Sequence, residues 1–128
     1  MQPKAYKPEG YASVSVYLMV QDAQGVIDFL REALGGETLR RMDNPDGTIM
    51  HAEVKIDDSV VMLADVEPPV PSHIHVYVPD VDAAYNRALR AGGISVQEPV
   101  QKGDPDRRSG VKDPSGNTWW ISTQVSEL

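Results

Sequence analysis

Two stretches of the chain alternate apolar and polar residues and then run into an aspartate. Val14-Ser-Val-Tyr-Leu-Met-Val20 leads into Gln21-Asp22, and His73-Ile-His-Val-Tyr-Val78 leads into Pro79-Asp80, an offset of 58 positions. A period of two sustained this long predicts a strand with one packed and one open face. Each aspartate opens an amphipathic stretch that stops at a glycine pair, Gly35-Gly36 and Gly92-Gly93. Val26, Ile27, Leu30, Ala33 and Leu34 recur at helical spacing in the first stretch, as do Val81, Ala84, Tyr85 and Ala88 in the second. Aspartate as N-cap and glycine just past the last turn punctuate a helix in both places.

Three more extended segments follow each helix. In the first copy they cover about Glu37–Met42, Ile49–Ile56 and Ser59–Ala64, with Asp43-Asn-Pro-Asp-Gly47 and Asp57-Asp58 as the turns between them. In the second they cover about Ile94–Glu98, Ser109–Lys112 and Thr118–Thr123, with Asp113-Pro-Ser-Gly-Asn117 as the last turn. The chain thus reads as one α+β domain made of two βαβββ modules. Module one spans about 12–66, a stiff Pro-rich linker 67–71, and module two about 72–124. The residues ahead of module one, with Pro3 and Pro8, read as a loose arm or a strand-like extension.

Composition narrows the chemistry. At 128 residues, 41% hydrophobic and 24% charged, one globular domain can bury a core without staples. The chain has no cysteine, which excludes disulfides, thiolate catalysis and cysteine-ligated metals. A net charge of −7 repels phosphates and argues against nucleic acid as a partner. No apolar run reaches the ~18 residues of a membrane span, and the start Met1-Gln-Pro-Lys-Ala-Tyr6 lacks the features of a signal peptide. The expectation is a cytoplasmic protein without a membrane partner. No nucleophile elbow, phosphate-cradling loop or dinucleotide fingerprint is present.

Five motifs accompany the duplicated pattern: Tyr17-Leu-Met-Val-Gln-Asp22, Gly47-Thr-Ile-Met-His-Ala-Glu53, Asp58-Ser-Val-Val-Met-Leu63, Val78-Pro-Asp-Val-Asp82 and Val111-Lys-Asp-Pro-Ser-Gly116. With them the chain resembles the vicinal oxygen chelate superfamily of glyoxalases, bleomycin-resistance proteins and dioxygenases, and within it the PhnB-like branch. The resemblance runs from Ser13 to Gln124. It implies that the two modules build a cup-shaped mixed sheet, that a small molecule binds on the concave face, and that the protein is a homodimer.

Alternation then sorts side chains by face. Val14, Val16, Leu18 and Val20 should pack beneath the first helix, leaving Ser13, Ser15, Tyr17 and Met19 inward. Ile74, Val76 and Val78 should pack, leaving His73, His75 and Tyr77 inward. Met50, Ala52, Val54 and Ile56 should pack opposite His51, Glu53 and Lys55. Val61 and Leu63 oppose Val60, Met62 and Ala64, and Trp119 and Ile121 oppose Thr118, Trp120 and Ser122. The inner face would hold aromatic walls and a few polar groups, as a ligand pocket requires.

The resemblance also implies where a metal would sit. Metal-using members take one ligand near the start of the first strand and one in the last strand of each module, which falls here on Ser15, Met62, His73 and Trp120. Only His73 is a good donor, whereas a catalytic divalent site needs about three. We therefore expect no cofactor. The alternative is a divalent metal held by His51, Glu53, His73 and His75, whose inventory of imidazoles and a carboxylate matches that of a facial triad.

Each candidate has a plainer reading beside it. His73 is a leftover ligand position or a polar wall. His75 beside Tyr77 is a general base or a satisfied buried histidine. Trp120 fills the space of an ion or stacks on a flat ligand. Arg107, after Gly103-Asp-Pro-Asp106, clamps a carboxylate or phosphonate group, or is solvated beside the acidic residues. The expected ligand-binding set is Ser15, Tyr17, His51, Glu53, Met62, His73, His75, Tyr77, Arg107 and Trp120. Two functions follow: a metal-free, dimeric small-molecule binder, to which the acidic surface would steer cationic compounds, or a metal-dependent lyase, isomerase or dioxygenase using the histidine–glutamate set.

Overall fold

A computed structural model describes residues 6–127 of the chain. Residues 1–5 of the expected arm, Pro3 included, lie outside the described residues. The elements are β1 (Val16–Val20), α1 (Ala23–Leu34), β2 (Glu37–Asp43), β3 (Ile49–Ile56), β4 (Ser59–Asp65), β5 (His73–Tyr77), α2 (Val81–Arg90), β6 (Ile94–Gln101), β7 (Asp106–Lys112) and β8 (Thr118–Gln124). This is βαβββ twice, as the spacing predicts.

The strands form two four-stranded mixed sheets, ordered β1-β4-β3-β2 and β5-β8-β7-β6. In each, the first strand runs parallel to the last and the other pairs are antiparallel. The repeat holds at the level of single residues. Val16 faces Val61 in the first sheet and Ile74 faces Trp119 in the second, the same partners moved by one repeat. β1 and β5 are sheet edges, and no ladder joins them.

The helix caps are as the sequence implies. The Asp22 carboxylate accepts from the Gly25 N–H at 3.2 Å, and the Asp80 carboxylate from Ala83 N–H at 3.1 Å. Gly35 closes α1 with φ 68°, in the left-handed region that glycine enters without strain. Both helices lie on the same side of their sheets and touch each other, with the Arg87 Nε–H donating to the Ala33 carbonyl at 3.2 Å. One apolar core runs through both modules, including Leu18, Phe29, Leu63, Trp119 and Ile121. Those five are almost wholly buried.

Three expectations need correction. β1 starts at Val16, and Val14 and Val16 do not pack under the helix; they are 86% and 41% exposed. They line a groove that also touches Ile74, Val76 and Tyr77, because that end of β1 borders the other module's edge and not α1. At the start of β3 it is Ile49 that is buried, while Met50 is 49% exposed. The register against β2 is irregular between Met42 and Asp43, so the simple alternation is interrupted there. The strands of module two are also longer than their apolar patterns indicate, β6 reaching Gln101 and β7 starting at Asp106, because ladder pairing continues through polar residues.

Candidate functional site: the inner faces of two half-sheets

On the face of the first sheet turned away from α1, one residue from each strand forms a row: Tyr17 on β1, Met62 on β4, Glu53 on β3 and Arg40 on β2. His51 lies on the same face two residues before Glu53, opposite Met42. Glu53 is only 4% exposed, yet it carries a carboxylate. Its Oε1 accepts the phenolic O–H of Tyr11 at 2.5 Å, and its Oε2 is 2.8 Å from His51 Nε2. Burial pushes its pKa up, but the hydrogen bonds from Tyr11 and His51 and the charge of Arg40 outweigh that, so the carboxyl is held below its ordinary range. The same bond pushes the Tyr11 phenol up.

Tyr11 belongs to the arm, not to the module. Residues from Tyr6 onward pass in front of the inner face, where Lys7 Nζ donates to Ser13 Oγ at 3.0 Å. Arm and sheet enclose a cavity of about 470 Å³ lined by Tyr6, Tyr11, Ser15, Tyr17, Arg40, Glu53 and Met62, among others.

The second sheet repeats the row with different chemistry: His75 on β5, Trp120 on β8, Gly110 on β7 and Gln97 on β6. Gly110 stands where module one has Glu53. A Cβ on it would lie 2.7 Å from the Trp120 ring, so the indole occupies the space that a side chain would take. Trp120 and His73 lie edge to edge in nearly one plane, the ring planes 9° apart and the centroids separated by 6.3 Å. Its indole N–H donates to His73 Nδ1 at 3.1 Å.

Beside this row lies a polar cluster. Tyr77, Ser122 and Arg108 face one another across β5, β8 and β7. The Tyr77 O–H donates to Asp106 Oδ2 at 2.8 Å, which pushes the phenol's pKa up. Arg108 donates to Ser122, Asp104 and Asp106 at 3.1, 3.2 and 3.0 Å. His75 meets Tyr77 edge-on, with centroids 4.7 Å apart. Partial burial lowers the pKa of its imidazole, and the nearby Arg108 charge lowers it further.

Not all buried carboxylates here serve the site. Asp113 accepts from the backbone N–H of Ser115 and Asn117 and from the Trp119 indole N–H, which braces the β7–β8 turn. Asp65 accepts from the backbone N–H of Ala23 and Ile49 and ties α1 and β3 to β4. Glu53 differs from both, since its recorded partners are side chains alone.

Ser15, Met62, His73 and Trp120, the four positions to which the resemblance assigns metal ligands, do not make a donor set. Ser15 and Met62 line the cavity beneath the arm, while Trp120 presents an indole N–H with no lone pair to offer. His73 Nδ1 is already accepting from that indole, which leaves the ring proton of the neutral imidazole on Nε2. Nor are His51, Glu53, His73 and His75 gathered in one chain. The first two are on β3 and the last two on β5, and among the described residues no three His, Asp or Glu side chains converge on a metal-sized point.

Arg107, read either as a ligand clamp or as a solvated partner of acidic residues, pairs with Asp82. Its Nε and Nη2 donate to the two oxygens of Asp82 at 2.9 Å each, on the helix side of the sheet. Arg108, next in sequence, is the one on the inner face. Tyr11, Arg40, Asp106, Arg108 and Gly110 belong to the candidate site by position, and sequence reasoning did not single them out for it. The only available signal was the alternation of β7, which puts Arg107 and Arg108 on opposite faces and Arg108 with Gly110; Tyr11 lies where no period exists.

A model of the Glyoxalase/Bleomycin resistance protein/Dioxygenase superfamily matches residues 12–121. The uncharacterized protein Mb0911c of Mycobacterium bovis is 35% identical over 130 residues, covering 91% of this chain and 86% of that one. Among solved structures, TioX from Micromonospora sp. ML1 superposes with a TM-score of 0.76 at 26% identity, covering 88% of this chain and 98% of TioX. TnmS3, an antibiotic-binding protein from Streptomyces sp. CB03234, superposes at 0.70 with 21% identity, over 89% and 99% of the two chains.

Proposed function

The chain belongs to the Glyoxalase/Bleomycin resistance protein/Dioxygenase superfamily, and on that premise we propose that it is a metal-free, homodimeric binder of small planar molecules. The observation that carries this reading is the coplanar Trp120–His73 pair, whose indole lies over Gly110. At the corner where the resemblance would place an ion, this chain has a flat aromatic surface in which the indole N–H and the imidazole Nδ1 satisfy each other. With Tyr17 at 47% and Tyr77 at 60% exposure, the inner faces offer aromatic area without a Lewis acid. TnmS3 is an example of this fold holding an antibiotic; at its level of identity it supports the architecture and not the ligand.

The dimer is supported by the edges at β1, which Val70 bridges at Met19, and at β5. An unpaired edge with exposed apolar residues is a liability unless covered, and Val14, Val16, Tyr17, Met19 and Tyr77 are all exposed on or beside β1 and β5. A second copy would cover them and bring the two kinds of half-site together. Within the superfamily we place the chain in the PhnB-like branch on its five motifs. We also take it to be cytoplasmic, a setting that a cysteine-free chain fits; no helix among the described residues is long and apolar enough to cross a membrane.

Calorimetric titration of planar aromatic antibiotics, cationic and neutral, into protein purified without chelator tests the reading. We expect binding heat for a subset and no stoichiometric Zn, Fe, Ni or Mn by elemental analysis. No heat at millimolar ligand, or a stoichiometric metal whose removal abolishes binding, would overturn it.

A further inference from the structure

We propose that Glu53 is the recognition carboxylate for an aromatic hydroxyl on the ligand, and that Tyr11 of the arm is its built-in stand-in. The inference rests on the small-molecule reading above and names the ligand group that one half-site selects.

A buried ionised carboxylate is costly to keep unless it is paired or does something else. Asp113 justifies its burial by holding backbone N–H groups, as the half-buried Asp65 also does. Glu53 holds His51 from its own strand and Tyr11 from a segment outside the module. The group now resting on Oε1 is a phenol, delivered by the arm across 42 residues of sequence. Tyr11 is only half-buried, and its neighbours Gly10, Ala12 and Ser13 are exposed, so little apolar packing retains it. What occupies the carboxylate is therefore exchangeable, and the cavity of about 470 Å³ behind it has room for a fused aromatic ring.

Charge decides which donor fits. Arg40 is the next residue in the cross-strand row, and Lys7 lines the same cavity. Two cations beside one carboxylate disfavour an incoming ammonium, whereas a neutral O–H donor meets no such repulsion. The Tyr17 ring and the Met62 thioether, next in the row toward β1, supply the apolar contact that an aryl ring needs and a sugar hydroxyl does not use. An aromatic hydroxyl satisfies both conditions. When it binds, it replaces Tyr11 on Oε1 and the arm swings aside, so the arm competes with the ligand.

The test compares 2-naphthol with 2-methoxynaphthalene, which share a ring system but differ in the donor, by titration against the full chain. We expect 2-naphthol to bind at least about tenfold tighter, as a charge-assisted hydrogen bond in a sheltered site allows. Glu53→Gln, which keeps an acceptor oxygen but removes the charge, should shrink the preference to about two- to threefold, and Glu53→Leu should erase it. Tyr11→Phe, a change in the exposed arm that leaves the modules intact, should tighten 2-naphthol by about three- to tenfold, because the competing occupant is lost. Equal affinity for the two probes, or a Tyr11→Phe variant that binds 2-naphthol no better than the parent, overturns the inference while leaving the small-molecule reading in place. If neither naphthalene nor any planar antibiotic binds parent or variant, both fail.

Discussion

The indole N–H of Trp120 points at Nδ1 of His73, 3.1 Å away, and the two rings lie 9° from parallel. These residues come from the two positions of module two where metal-using relatives carry ligands, and here they satisfy each other. The neutral His73 ring should therefore be locked with its proton on Nε2. Long-range ¹H–¹⁵N correlation at a pH where the ring is neutral would read the tautomer directly. Trp120→Phe should release it to a mixture, and a parent protein with the proton on Nδ1 would contradict the geometry.

Gly110 gives Trp120 its place. A Cβ there would meet two indole carbons at 2.7 and 2.9 Å, contacts that only a shift of the ring relieves. Gly110→Ala should destabilise the fold by about 1–3 kcal/mol, the usual cost of overpacking, as measured by chemical denaturation. Ligands that stack on Trp120 should weaken at the same time. An alanine variant with unchanged stability and binding would mean that the indole does not rest on the sheet.

His75 supplies a pH dependence. Partial burial and the Arg108 charge lower its folded pKa below the ordinary 6.5. Between the folded value and 6.5 the unfolded chain binds more protons than the native one, so stability rises with pH across that window and falls as the pH drops through it. An NMR titration should place His75 below 6.5, and Arg108→Gln should bring it back up by removing the repelling cation. A His75 that titrates above 6.5 in the parent protein would reverse the sign.

Two adjacent arginines should behave differently. Arg107 pairs with Asp82 where both side chains are well exposed, so Arg107→Ala should cost no more than about 1 kcal/mol and leave ligand affinity alone. Arg108 partners Asp106, which is 7% exposed. Arg108→Ala would leave that carboxylate the Tyr77 hydroxyl alone and should cost about 1–3 kcal/mol, with altered binding as well. Denaturation curves and titrations of the two variants side by side decide it, and equal losses would remove Arg108 from the site.

The edge strands make a prediction about assembly. Val16, 41% exposed on β1, borders the groove between the two modules. Val16→Lys should shift a dimer toward monomer in sedimentation velocity without lowering monomer stability by more than about 0.5 kcal/mol, since surface changes cost little on their own. A parent protein that is monomeric at high concentration would refute the edge pairing.

Much of this architecture was present in local pattern. The repeat, the aspartate caps and the succession of elements along the chain follow from spacing alone, and alternation placed Tyr17, Glu53, His75 and Trp120 on the inner side of their strands. Alternation reports faces because successive residues of a strand point in opposite directions, whatever the strand pairs with. Who meets whom across the sheet is another matter, because register is a relation between strands far apart in the chain. Only the folded chain aligned Arg40 with Glu53, set Gly110 beneath Trp120, turned Arg107 outward onto Asp82 and left Val14 in a groove. Tyr11 was the least legible of all: the arm has no period to read, and its contact with Glu53 exists only because tertiary folding brings a segment without secondary structure across the finished sheet.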